Sequence, residues 1–232
     1  MSDKPERPLG ARQVKTETVN DDGSWFVENW KDGKKHGKWE RLRTDGSWIV
    51  SHWRDDKLHG RREQVNADGS WFVENWKDGN LHGKWERLRT DGSWFVENWK
   101  DGKKHGKWEQ VNADGSWEVS HWKDNKPHGK RQWVNSDGFW CVENWKDGRL
   151  HGRREQVFPG GSWLLENRED GNLHGKQECV NSDCSWYADN WKDGKPHGKA
   201  EQVKADGSWL VQTFNNGDLN TVETSEDWTD ED

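Results

Sequence analysis

Residues 22–44 read D-G-S-W-F-V-E-N-W-K-D-G-K-K-H-G-K-W-E-R-L-R-T, and the 23 residues that follow repeat the scheme with substitutions. The period places a tryptophan at 25, 48, 71, 94, 117, 140, 163, 186 and 209, so one small unit is copied about nine times. Each unit holds two short runs. Trp25 to Trp30 opens with β-favouring residues, and Lys38 to Arg43 carries a regular apolar place at Leu42. Between them, Asp32-Gly33 and Gly37 are residue types that accept the positive φ of a reversal, and Asp45-Gly46 turns the chain again. A parallel return needs a crossover of about a dozen residues or more, which no unit contains. The expected fold is therefore all-β: an elongated antiparallel meander or solenoid of about nine 23-residue β-hairpins, each stabilised mainly by its neighbours.

Strand alternation sends Trp25, Val27 and Asn29 to one face and Phe26, Glu28 and Trp30 to the other. The Trp25 column is tryptophan in every copy and the Val27 column stays apolar through Val50, Val96, Leu165 and Val211, which assigns that face to burial. The Phe26 column passes through Ile49, Glu118, Cys141 and Tyr187. The Trp39 column changes to Arg62, Arg131, Gln177 and Ala200, so this second face is expected to be the tolerant, partly wet one.

Composition limits the core. Only 28% of the 232 residues is hydrophobic and 21 residues are tryptophan, which excludes a thick aliphatic interior. Each buried indole removes about 150–250 Å² from water, so aromatic columns are expected to take its place. The net charge of −7 resides in the segment from Asp218 to Asp232, which has seven acids and no base. A neutral, charge-interspersed body lacks the clustered basic surface from which nucleic-acid binding starts. Residues 1–16 are expected to form a flexible N-terminal segment, 17–217 the repeat array, and 218–232 an acidic tail or cap that shields the last strand from sheet-to-sheet pairing. The start, M-S-D-K-P-E-R-P-L-G, has no apolar signal-peptide core, and no stretch reaches the ~20 apolar residues of a spanning helix, so a cytoplasmic location is expected. Cys141, Cys179 and Cys184 fall in three different columns and are expected to be free thiols filling ordinary sheet positions.

The unit resembles the MORN repeat (membrane occupation and recognition nexus), whose pattern runs D-G-x-x-Y-x-G-x-W-x-x-G-x-x-H-G-x-G, in a divergent Trp-rich form. Its core appears as Trp30-x-x-Gly33-x-x-His36-Gly37 and returns at 76–83, 99–106, 145–152 and 191–198. The Tyr place is filled by Phe26, the Gly two places later is Glu28, and the Gly after His-Gly is Trp39. The added aromatic, Trp25, stands one residue before the Tyr place, which by parity shifts part of the packed face to the opposite side of the sheet. The resemblance implies hairpin geometry and a role in scaffolding, dimerisation or attachment to membranes and cytoskeleton.

Histidines at 36, 59, 82, 105, 128, 151, 174 and 197 occupy one column, about 10 Å apart on a two-strand spacing, too far to share one ion. They are read as bonding their own turns and packing on the Trp30 column, and no metal is expected. Carboxylates of the Glu28 and Glu40 columns read as solvated cross-strand ion pairs with the surrounding Lys and Arg. Catalysis needs a few unlike groups converging in a cleft, whereas repetition supplies equivalent ones, so neither catalytic residues nor a cofactor are expected. The candidate partner-binding residues are Trp30, Trp39, Arg41, Trp76, Trp85, Arg87, Trp99 and Trp108, an aromatic and cationic stripe on one face. Either these groups merely stack to cover a thin sheet, through cation–π contacts of about 0.5–1 kcal/mol, or they anchor a partner. The leading expectation is a non-enzymatic interaction or scaffold protein that binds a protein partner or self-associates. The alternatives are a multivalent carbohydrate-binding lectin, whose indoles stack on sugar rings, and weak peripheral contact of lysine-rich turns with an anionic membrane.

Overall fold

The computed structural model describes residues 13–225; residues 1–12 of the N-terminal segment and 226–232 of the acidic tail lie outside the described residues. The chain divides into two compact units, Met1–Ala113 with Lys123–Asn125, and Asp114–Trp122 with Lys126–Asp232. The described residues form 27 strands and no α-helix. In the first unit Val14–Val19 pairs antiparallel with Trp25–Lys31, which pairs with Gly37–Leu42, and that strand with Trp48–Arg54. The same alternation continues through Trp71–Lys77 and Trp94–Lys100. In the second unit it runs from Gly129–Val134 and Trp140–Lys146 to Trp209–Asn215 and Asp218–Thr224. The strands belong to one open sheet that does not close into a barrel: among the described residues, Val14–Val19 pairs only with Trp25–Lys31, and Asp218–Thr224 only with Trp209–Asn215.

The turns follow from their residues. Asp32 (φ 47°) and Gly33 (φ 71°) form a two-residue loop between the paired Lys31 and Lys34, the double positive φ that matches the twist of a hairpin. At Asp55-Asp56 the second place is not glycine, although its φ is 66°. A double contact compensates: the Asp56 carboxylate accepts from the Lys35 N–H at 2.8 Å, and the Asp56 N–H donates to the Lys35 carbonyl at 3.0 Å. Asn125 grips Lys104 in the same way. Where the place is glycine, as at Gly79, a single bond to the Leu58 carbonyl remains, so each turn is tied to the turn of the preceding repeat.

Two further columns gain a reason. Asn75 donates from Nδ2 to the Lys84 carbonyl at 2.7 Å, and His52, which replaces Asn in its copy, holds Nδ1 at 2.7 Å from the Arg61 carbonyl and must carry its proton there. In D-G-S, the Asp45 carboxylate accepts from the Ser47 backbone N–H at 2.8 Å. Bonds from the Ser47 side chain first, and then from its backbone, hold the Asp45 carboxyl below its ordinary value.

The histidine column departs from expectation. The backbone N–H of His36 does bond its own hairpin, at the Asn29 carbonyl. The rings instead reach the following repeat: His59 Nδ1 lies 3.2 Å from the Asp78 carboxylate, and His82 Nδ1 lies 3.1 Å from Asp101. The two-residue turn is too tight to receive the ring, while the next turn lies alongside it.

The face assignment is reversed. Register sets Trp25, Leu42 and Trp48 in one row and Phe26, Arg41 and Ile49 in the row on the other face. The deepest strand side chains, Glu97 (7% exposed), Ser120 (2%), Cys141 (0%), Glu143 (4%) and Glu166 (2%), all share the face of Phe26, while the other face buries Val27 and Ala188 to 9%. All nine tryptophans of the Trp25 column are only half-buried. The cause is chemical: on the Phe26 face indoles, carboxylates and guanidinium groups hold one another by hydrogen bonds.

Candidate functional site

The packed face is built from a short-range rule. In the six long strands from Trp25–Lys31 to Trp140–Lys146 the closing tryptophan follows its hydrogen-bond acceptor by two residues, which places both on one face. Trp76 Nε1 donates to Glu74 at 3.0 Å, Trp99 Nε1 to Glu97 at 3.0 Å, and Trp53 Nε1 to the Ser51 hydroxyl at 2.8 Å. The second unit repeats the rule with Trp122 on Ser120 (2.9 Å) and Trp145 on Glu143 (2.9 Å). A buried N–H needs an acceptor, so the acids of this column are buried partners of the indoles. The cross-strand ion pairs expected of the Glu28 column are present, as between Arg62 and Glu74 (2.8 Å), but its acids Glu97, Glu143 and Glu166 are buried, which corrects the reading of them as solvated. The Glu40 column does stay at the rim, but its pairs lie along one strand, as between Arg61 and Glu63 (2.7 Å), not across strands.

Charge balance within the second unit is tight. Arg154 donates from Nε to Glu143 at 3.0 Å and from Nη1 to Glu166 at 3.0 Å, while Arg168 Nε reaches Glu166 at 2.8 Å. Burial pushes the Glu166 carboxyl up, but the hydrogen bonds from Arg168 and Arg154 outweigh it and leave the group below its ordinary value. The Cys141 thiol beside this network is pushed up to about 11, first by burial and then by the Glu143 carboxylate. Removing one member of such a buried network costs about 3–5 kcal/mol, because the opposite charge stays behind uncompensated.

All eight candidate residues lie on this face, within the first unit. Trp30 and Trp39 meet edge to face with centroids 5.1 Å apart, and Trp39 lies 6.1 Å from Trp53. The Lys35 ammonium sits over both Trp39 (4.4 Å) and Trp53 (4.5 Å). Trp39 Nε1 is anchored on the Asn29 carbonyl at 2.9 Å. Arg41, exposed, stands opposite Phe26 and Ile49. Trp39 and Arg41 then line a cavity of about 340 Å³ together with Phe26, Glu28, Ile49 and Ser51. A second cluster joins Trp85, edge-on to Phe95 at 5.1 Å and tilted to Trp99 at 6.3 Å, with exposed Arg87 opposite Phe72 and Phe95. Trp108 Nε1 enters it through Glu97 at 3.0 Å. Trp76 is held apart from both, sharing Glu74 with Arg62. Phe26, Ile49 and Lys35 belong to the first cluster although the sequence reading omitted them; Phe26 and Ile49 carry the parity of Trp30 and Arg41 but were set aside for their variability.

The MORN repeat family model matches residues 29–38, 98–107, 119–130 and 190–209. The chain carries MORN repeats. The matches at 29–38 and 98–107 both run from the end of the long strand through the turn to His-Gly, the segment whose N–H groups stitch successive MORN units. Phe26, at the aromatic place of the MORN pattern, lies on the packed face, so the extra Trp25 column adds an outer stripe and leaves the MORN packing side unchanged. A search of curated proteins returned no match to the chain. MORN repeats mediate protein and membrane-lipid interactions, and proteins built from them are generally non-enzymatic scaffolds. Among the described residues no helix is long and apolar enough to cross a membrane, and no three His, Cys, Asp or Glu converge as a metal would require.

Proposed function

We propose that the chain is a non-enzymatic interaction module that docks a protein partner on the first unit's aromatic face, with Trp39 and Arg41 as central anchors and Trp30, Trp85 and Arg87 as flanking ones. The supporting observation is the Trp39–Arg41 cavity. Trp39 spends its N–H on the Asn29 carbonyl, and its half-buried ring and the exposed guanidinium of Arg41 border the same open space of about 340 Å³. Tryptophan and arginine in a partly desolvated recess are the residue types that carry most binding energy at interfaces. Exposed Arg41 and Arg87 favour a partner that presents apolar side chains flanked by acids. The remaining candidates, Trp76, Trp99 and Trp108, hold the face in shape through Glu74 and Glu97.

Affinity capture with the purified chain, run beside an Arg41→Glu/Arg87→Glu variant, tests this reading. A protein retained by the wild type and lost from the variant supports it, and the captured protein rebinding in purified form completes the case. Retention on a glycan array or on anionic vesicles that the same variant abolishes would assign the face to sugar or lipid instead.

A further inference from the structure

The second unit interrupts its own acid–base ladder at one place. Its acceptor column runs Glu143, Glu166, Asp189, and the intervening strands carry Arg154, Gln177 and Ala200 in the column of Trp39. Glu143 is met by Trp145 and Arg154, and Glu166 by Arg154 and Arg168. Asp189 has neither kind of partner: its cross-strand neighbour is Gln177, and Ala200 stands opposite Gln212. Aspartate is shorter than glutamate by one C–C bond, about 1.5 Å, so its carboxylate falls short of the indole two residues on. Trp191 Nε1 is accordingly buried with no hydrogen-bond partner.

These substitutions leave a cavity of about 430 Å³ lined by Gln177, Tyr187, Asp189, Trp191, Ala200 and Gln212, among others. No lysine or arginine lines it, and its second acid, Glu201, is engaged by Lys199. A half-buried carboxyl, an orphaned indole N–H and a missing bridging side chain thus converge in one space.

We propose that this cavity binds a guanidinium group: an arginine side chain of a partner enters the place that Arg154 fills two repeats earlier, pairing with Asp189 and lying against the Trp191 indole. The unit itself supplies the precedents. Arg131 bonds Glu118 through Nε at 2.7 Å and Nη2 at 3.1 Å while its guanidinium lies 4.5 Å over the Trp133 ring. A planar fork satisfies a carboxylate with two parallel bonds and stacks on an aromatic face, which a lysine ammonium does not. The Trp191 N–H, a donor only, remains for a main-chain carbonyl of the same ligand. Burial holds the Asp189 carboxyl above its ordinary value, so an entering cation also relieves the cost of keeping it ionised. The site consists wholly of second-unit residues and does not depend on the docking surface proposed above.

The test titrates the full chain with N-acetyl-arginine amide and with its neutral isostere N-acetyl-citrulline amide, following the indole N–H resonances by NMR, with Trp191→Phe identifying the signal of Trp191. The arginine compound shifts the Trp191 resonance saturably and binds at least tenfold more tightly than the citrulline compound. Asp189→Asn removes that preference, and Ala200→Arg, which fills the cavity from within, abolishes binding and leaves a folded protein. Equal affinity for the two compounds, absence of a saturable shift, or arginine binding that persists in Ala200→Arg would overturn the proposal. The Ala200→Arg result decides the matter even where Asp189→Asn fails to fold.

Discussion

His59 and Asp78 join two successive repeats: the imidazole Nδ1 lies 3.2 Å from the Asp78 carboxylate and 3.3 Å from its backbone N–H. Stability in a repeat array resides largely in such interfaces between neighbours. His59→Ala should therefore cost about 1 kcal/mol, the net worth of one intramolecular hydrogen bond. Thermal melts followed by circular dichroism should show a fall of about 2–4 °C, and His59→Ala/His151→Ala, which also removes the bond from the Asp170 N–H to His151, about the sum, since the two sites share no partner. An unchanged melting temperature would mean that the rings contribute nothing to stacking.

Acid should weaken the second unit through Glu166. Its folded carboxyl lies below the ordinary value of 4.5, so its contribution is fully present above about that pH and is lost as pH falls through the depressed folded value. Glu166→Gln removes this dependence and leaves Arg154 and Arg168 short of a countercharge. Urea titrations should find the variant less stable by about 3 kcal/mol at pH 7. The gap should narrow on acidification below about pH 4. A gap that is constant with pH would contradict the assignment of the ion pairs.

The three thiols should separate by reactivity. Cys141 is fully buried and its thiol is pushed up to about 11, while Cys184 is exposed. The thiolate is the reacting species, so a maleimide at neutral pH should label Cys184 within minutes and Cys141 only after denaturation. Mass spectrometry of proteolysed samples reads the order directly, and early labelling of Cys141 would show that the packed face opens.

The hairpins were legible because each Asp-Gly pair states a backbone conformation that few residue types accept, as the positive φ values of Asp32 and Gly33 bear out. The packed face was not. Hydrophobicity pointed to Trp25 and Val27, yet Glu97 and Glu143 lie deeper than any indole of the Trp25 column, because Trp99 and Trp145 satisfy them from two residues away. The E-x-W spacing was visible in the sequence, but its meaning depends on which side excludes water. Variation in the Trp39 column suggested tolerance. In the structure it follows local charge: Arg154 stands between Glu143 and Glu166, and Arg62 reaches Glu74. Parity places Trp39 and Arg41 on one face of their strand, and the cross-strand register sets Trp30 on the same side. That Phe26 and Ile49 close the cavity around them required the cross-strand register.

The most direct measurement compares Trp94→Ala with Trp99→Ala by urea denaturation. Both indoles are half-buried, but Trp99 lies on the packed face and donates to buried Glu97, whereas Trp94 belongs to the stripe on the other face. Trp99→Ala should cost about 3–5 kcal/mol and Trp94→Ala clearly less. A larger loss at Trp94 would place the packing on the other side of the sheet and contradict this account.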